Sequence, residues 1–172
     1  PKAIVNAHWS PLYAWLLGTA IALVQPSILF EFPLVHLVNF FIYLGAFYAF
    51  FFLIRALLPW IEPSLHRSWY LIGAALFFIT TLQLITIELV TPDLLVSISV
   101  FLMSGLLAHI ARGDMRWRLF VALGIAAGLG YLAKAPMFPL TFLFLGAAFF
   151  AAGDWRTAWP RILVAGAVFA AI

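Results

Sequence analysis

Long apolar runs separated by short polar stretches dominate this sequence. We mark seven runs, at residues 11–30, 34–54, 69–87, 94–111, 117–133, 136–152 and 162–172. The first six are about 17 to 21 residues long, and a helix of about 20 apolar residues crosses a bilayer core of roughly 30 Å. The runs lack the alternation of barrel strands. The pattern therefore predicts an all-α, polytopic transmembrane helical bundle.

The composition strengthens this prediction. Of 172 residues, 66% are hydrophobic and 9% are charged, whereas soluble domains carry about 25% charged residues. Cysteine is absent, so disulfides and thiolate metal sites are excluded. The net charge of +3 comes from basic residues placed singly in short loops, which is typical of membrane topology signals, so we expect no nucleic-acid partner.

The charges of successive loops alternate in kind. Every second loop is flanked or occupied by arginine: Arg55, Arg67, Arg112, Arg116, Arg118, Arg156 and Arg161. The other loops hold Glu31, Glu88, Asp93 and the single base Lys134. Because basic residues are enriched in cytoplasmic loops, we expect the arginine loops inside the cell and the acidic residues with Lys134 on the outer face.

The first run, residues 11–30, leaves two alternatives open. It contains Pro11, Gln25 and Pro26, so it either crosses the membrane or lies in the interface as a re-entrant segment. No internal repeat is visible. We expect one transmembrane domain over residues 1–172, incomplete at both ends.

Asp93 is the first candidate for chemistry. It follows Thr91 and Pro92 at the entry to a predicted helix, where Thr suits a cap and Pro a first turn. Either the carboxylate only complements the helix dipole, or it is functional, as costly carboxylates near the hydrocarbon edge tend to be. Glu88 precedes it in the same loop. The two carboxylates could bind a divalent cation, or one could orient an acceptor.

Lys134 is the second candidate. Its ammonium either snorkels from a helix end or neutralises a phosphate as a point charge. Pro136 indicates a break between two helices, so the ammonium could face a cavity. The small residues Gly124, Gly128 and Gly130 just before it indicate close helix packing.

Polar side chains elsewhere have structural and functional interpretations. His36 and Asn39 share a helical face and either hold helices together or line a polar cavity. Gln83 is interpreted as a contact between helices. His8, beside Trp9, is either an interface residue or catalytic.

Three stretches, taken in order, resemble the protein O-mannosyltransferase and aminoarabinose transferase family of GT-C membrane glycosyltransferases. They are residues 7–13 (AHWSPLY), 91–93 (TPD) and 128–136 (GLGYLAKAP). The resemblance implies a sugar donor on dolichyl or undecaprenyl phosphate, a glycan, lipid or protein acceptor, and an active site on the lumenal or periplasmic face. We therefore expect a multi-pass protein, most simply of a bacterial plasma membrane, within the cell envelope.

The resemblance also assigns roles to residues. Asp93 matches a supporting acid near the donor phosphate and a divalent ion (Mg or Mn), and Lys134 matches the family lysine. The further substrate-binding candidates are Glu88, His8, Tyr13 and His36. Residues 1–33 become the end of the first outer loop with an interfacial helix, and residues 34–172 hold about six membrane helices.

The chain departs from the family pattern in three ways. The main catalytic carboxylate lies earlier in the first outer loop, in a part absent here, so we expect these residues to be inactive alone. Ser10-Pro11 stands where relatives often have Lys-Pro or Pro-Pro, and Ala133-Lys134-Ala135 replaces Thr-Lys-Gly. The alternative function is a fragment of a secondary transporter, and a purely structural membrane subunit ranks third.

Overall fold

A computed structural model of the chain describes residues 11–83 and 91–172, except for the side chains of residues 82 and 83. Over this part, the chain forms helices and no strand, so the all-α prediction is confirmed. The helices are α1 (Pro11–Val24), α2 (Ile28–Leu57), α3 (His66–Gln83), α4 (Asp93–Ala111), α5 (Trp117–Ala133), α6 (Met137–Ala151) and α7 (Trp155–Ala171). Short 3-10 turns at Leu58–Trp60 and Pro63–Leu65 join α2 to α3.

The first predicted run is divided at a different place from the one we expected. α1 ends at Val24 because Pro26 disfavours helical backbone at the residue before it, and Gln25 has a left-handed φ of 47°. α2 then begins at Ile28 and contains Pro33. The predicted start at residue 34 is therefore wrong, and residue 33, where we expected the outer loop to end, lies inside α2. Glu31 lies in the first turn of α2 and not in a loop.

The last helix also begins earlier than predicted. The carboxylate of Asp154 accepts a hydrogen bond from the backbone N–H of Arg156 at 3.1 Å and caps α7, which starts at Trp155. The predicted start at residue 162 is wrong, because Arg156 and Arg161 belong to the first two turns of α7. α5 matches its predicted bounds, α4 and α6 match theirs within one residue, and the predicted end of α3 at residue 87 lies outside the described residues.

α4 is the central helix of the bundle. One group of buried residues joins α4 to α5, α6 and α7, and includes Met103, Phe120, Leu123 and Met137. A second group joins α4 to α1, α2, α3 and the end of α5, and includes Tyr13, Tyr43, Phe77, Leu94 and Ala133. Helices on both sides of α4 are therefore held in a fixed relation to its first turn.

Glycines allow the close approach of several helices, as predicted. A Cβ on Gly124 would meet the backbone carbonyl of Ala165 in α7, and one on Gly128 would come within 2.8 Å of Ile172. These two positions, one turn apart on α5, let α7 lie against it. The interpretation of Gly124 and Gly128 as packing residues is confirmed.

Two stretches of the described chain could cross a membrane, judged by length and composition. They are Ile28–Trp60 and Asp93–Ala111. α1, α5 and α6 are apolar but shorter, and α1, with 14 residues, is only about 21 Å long. Helices of membrane-spanning character are thus present, while the complete polytopic arrangement stays a prediction.

Candidate functional site

Asp93 and Lys134, the two leading candidates from the sequence, meet in the structure. The Nζ of Lys134 donates to the Oδ1 of Asp93 at 2.6 Å, across a separation of 41 residues. The two side chains keep 46% and 41% of their surface exposed, respectively. The contact is an ion pair that a ligand can reach from outside, and we refer to this end of the bundle as the Asp93 end.

The backbone on each side explains how the two groups come to face each other. α4 begins at Asp93, directly after Pro92 in the N-cap position. The predicted cap by Thr91 is not observed, since no side chain caps this helix. Lys134 lies just beyond α5 in extended conformation, with a φ of −159°. Its carbonyl accepts from the N–H of Met137 at 3.0 Å, so a tight turn into α6 holds the lysine at the rim.

Gly130 brings the end of α5 close to α4. A Cβ at this position would lie 2.7 Å from the Cε of Met137 and 3.0 Å from the Cβ of Ser99. Only hydrogen fits there without a shift of the neighbours. Because the N–H of Lys134 donates to the carbonyl of Gly130 at 2.9 Å, this close contact also holds the backbone of Lys134 near α4.

Tyr13 lies at the same end but serves a different contact. Its hydroxyl donates to the Oδ1 of Asn39 at 2.6 Å, and its side chain is buried in one cluster with Leu94 and Ala133. These two are the chain neighbours of Asp93 and Lys134. The structure therefore brings together described residues from all three stretches that carry the family resemblance, although the Tyr13 hydroxyl is engaged in joining α1 to α2.

Of the remaining candidates, the structure describes His36 and its neighbour Asn39, both on α2. His36 is half-buried and packs edge-on against Phe32, with ring centroids 4.2 Å apart. Asn39, on the same face of α2 as His36, joins α2 to α1 through Tyr13, as the structural interpretation expected. His8 and Glu88 lie outside the described residues, as does the side chain of Gln83.

Contacts at the opposite end of the bundle link the predicted arginine loops, and we call it the arginine end. The Nε of Arg161, in α7, donates to the carbonyl of Met115 at 2.7 Å, and its guanidinium lies 4.8 Å from the ring centre of Trp117. The Arg116 guanidinium holds the pKa of Asp114 below its ordinary value by hydrogen bonding. α4, with 19 residues, separates the two ends by about 28 Å.

The Asp93 end offers a partly exposed ammonium and one carboxylate to a ligand. A lysine at a partly exposed rim can attract a phosphate as a point charge. Among the described residues there is no group of three or more His, Asp or Glu that could hold a metal ion. Asp93 alone is an incomplete cation site, and its predicted companion Glu88 lies outside the described residues, so Mg or Mn stays a prediction.

Sequence reasoning missed one residue of this site and one whole cavity. Ser99, against which Gly130 packs, carries no signal that would single it out. The missed cavity lies at the arginine end and is lined in part by Arg55 and His109. It forms only if one particular face of α2 packs on α4. Both faces of α2 are apolar, so the sequence does not reveal this choice.

No family model, curated protein or solved structure matches the chain. The resemblance to GT-C glycosyltransferases therefore rests on the residues quoted for it.

Proposed function

We propose that the protein is a multi-pass membrane glycosyltransferase. It takes a sugar from dolichyl or undecaprenyl phosphate and transfers it to a glycan, lipid or protein acceptor on the outer face of the membrane. The observation that carries the proposal is the ion pair between Asp93 and Lys134 at 2.6 Å. It joins two of the three family-like stretches at the end of the bundle away from the arginines.

The surface supports the membrane part of the proposal. Large apolar side chains are exposed along α2 and α3, among them Phe32, Phe40, Phe41, Leu71 and Ile72. Soluble monomers rarely expose large contiguous apolar patches, whereas lipid tails can cover exposed apolar side chains. Under the positive-inside rule the arginine end is cytoplasmic, and the Asp93 end then faces outward.

The chemistry proposed for the site follows from its charges. The acceptor hydroxyl attacks the anomeric carbon, the bond from that carbon to the phosphate oxygen breaks, and a carboxylate base takes the hydroxyl proton. Family resemblance puts this base in the first outer loop. Negative charge grows on the departing polyprenyl phosphate, and the Lys134 ammonium offsets it. Asp93 holds that ammonium at the rim and positions the donor phosphate or its cation.

The position of the charges favours an enzyme over a secondary transporter. Transporters bind substrates near the bilayer midplane, between broken helices of repeated halves. Here Asp93 is the first residue of α4 and Lys134 follows the last residue of α5. Both groups are therefore at a rim, where an enzyme can meet a lipid phosphate and a water-borne acceptor.

Turnover of a labelled donor tests the proposal. Membranes that contain the protein at its natural length are incubated with undecaprenyl- or dolichyl-phosphate sugars, including mannose and aminoarabinose, and product is measured. Asp93→Asn and Lys134→Ala should each lower turnover by about 100-fold or more, the usual effect of removing one preorganised charge from a transition state. Glu31→Gln, an exposed acid in the first turn of α2, is the matched control and should stay within about twofold of the wild type.

A charge exchange separates catalysis from structure. The double variant Asp93→Lys with Lys134→Asp keeps an ion pair but reverses its polarity, so it should stay inactive. Full turnover in Asp93→Asn at normal expression, or its recovery in the exchanged pair, would leave the ion pair as a structural contact and overturn the proposal. An absence of transfer from every donor tested in the wild type would do the same.

A further inference from the structure

A cavity lies at the arginine end, between α2 and α4. Its volume is about 440 Å³, and its lining residues are Tyr48, Phe51, Phe52, Arg55 and His109. The three aromatic residues and Arg55 come from α2, while His109 comes from the last turn of α4. The cavity thus joins an apolar wall to a cationic rim, and its α4 residue, His109, lies about 24 Å along the helix from Asp93.

The aromatic wall is held in place by close packing. A Cβ on Gly105 would lie within 2.7 Å of the Cδ1 of Phe52, so the Phe52 ring rests directly on the backbone of α4. The His109 ring stacks on Phe52 with centroids 5.8 Å apart and an angle of 26° between the planes. The position of the imidazole is therefore fixed before a ligand arrives.

Among the described residues, no carboxylate pairs with Arg55 at the cationic rim. Arg55 is exposed, and in residues 11–83 and 91–172 no ion pair or hydrogen bond engages its guanidinium. The described acids at the arginine end have other partners: Asp114 binds Arg116, Asp154 caps α7, and Glu62 accepts from Ser64. Of these, Asp114 also interacts electrostatically with His109. A guanidinium in this setting offers its planar array of donors to a phosphate.

We propose that this cavity binds the headgroup of an anionic phospholipid from the surrounding leaflet. The phosphate lies on Arg55 with the His109 imidazole as a second donor, and the glycerol and first methylenes lie along the aromatic wall. Tyr48 is 71% exposed and sits seven residues, about 10 Å, further along α2, so the wall continues in the direction of the bilayer. Basic pockets between membrane helices on the cytoplasmic side suit anionic lipids.

This inference rests on the membrane part of the proposed function, because α2 and α4 must cross the bilayer. It does not depend on glycosyl transfer. A soluble phosphate would use the arginine but gain nothing from the aromatic wall, which is why a lipid is the expected occupant.

Lipid retention in detergent tests the site. The purified protein is titrated with phosphatidylglycerol or phosphatidylcholine, and bound lipid is counted by native mass spectrometry. We expect a preference for phosphatidylglycerol that Arg55→Gln lowers by about tenfold, the effect of losing one charge-assisted hydrogen bond. Arg67→Gln, another exposed arginine at this end, is the matched control and should lower it by less than about twofold. His109→Phe keeps the stacked ring and should lower it by about threefold.

Several outcomes would overturn the inference. The first is that phosphatidylcholine binds as well as phosphatidylglycerol. The second is that Arg55→Gln and Arg67→Gln lose the lipid preference equally, and the third is that inorganic phosphate displaces the lipid at equal concentration. Thermal unfolding in the same detergent shows whether a variant is folded. If Arg55→Gln does not fold, Tyr48→Ala, at an exposed position, tests the aromatic wall instead. A wild-type protein that transfers sugar but shows no preference for phosphatidylglycerol would sink this inference alone. A wild-type protein that prefers phosphatidylglycerol but transfers no sugar would sink only the enzyme proposal.

Discussion

Gly130 is the position at which a one-carbon change would most directly disturb the Asp93 end. In Gly130→Ala the new methyl would meet the Met137 Cε at 2.7 Å and the Ser99 Cβ at 3.0 Å. The Met137 methyl ends a flexible side chain and can move away. The Ser99 Cβ is fixed to α4, so α5 itself has to shift by a few tenths of an ångström.

The expected magnitude follows from two opposing terms. Overpacking of a filled site costs about 1–3 kcal/mol, while replacing Gly by Ala within a helix gains up to about 1 kcal/mol. Gly146→Ala in α6 isolates the second term, because nothing lies within 4 Å of the new methyl there. The difference between the two variants should therefore equal the packing term, about 1–3 kcal/mol, with Gly130→Ala the less stable.

Chemical unfolding in mild detergent measures this difference, and turnover measures its consequence for the site. Since Lys134 follows Gly130 by one turn, Gly130→Ala should also lower the rate of glycosyl transfer, and Gly146→Ala should leave it unchanged. Equal free energies of unfolding for the two variants would refute the argument that α5 and α4 touch at Gly130.

Two contacts away from the ion pair give further predictions. Tyr13→Phe removes the donor to the Oδ1 of Asn39 and should lower the free energy of unfolding by about 0.6–1.7 kcal/mol, the range for hydrogen bonds between membrane helices; a stability equal to the wild type would contradict this. Arg161→Gln removes the 2.7 Å bond to the Met115 carbonyl and should speed amide hydrogen exchange between α4 and α5, whereas unchanged exchange there would show that α7 does not hold this loop.

The helices were predictable where charges and prolines mark both ends of an apolar run. α5 is bounded by Arg112 and Arg116 before it and by Lys134 and Pro136 after it, and its limits came out as expected. The start of α7 was misjudged because Arg156 and Arg161 suggested a loop, although Asp154 is a recognisable N-cap. At this helix the capping residue Asp154 marks the start of α7 better than the point where the apolar run begins.

The site was predictable only in outline. Alternating loop charges indicated that Asp93 and Lys134 share one end, because successive membrane helices run in opposite directions. Their 2.6 Å contact depends on how α5 packs on α4 at Gly130 and Ser99, which no single-residue pattern encodes. The engagement of Tyr13 with Asn39 has the same origin, since it requires knowing that α1 folds back on α2.

The sidedness of the two ends is the claim on which the account depends, and labelling of single cysteines measures it directly. The chain has no cysteine, so Ala135→Cys and Ser64→Cys can each be introduced alone, at exposed positions beside Lys134 and in the turn between α2 and α3. A membrane-impermeant maleimide should label Ala135→Cys in intact cells, or in spheroplasts if an outer membrane blocks access. It should label Ser64→Cys only after the plasma membrane is opened. Labelling of both before opening, or of Ser64→Cys alone, would contradict the account.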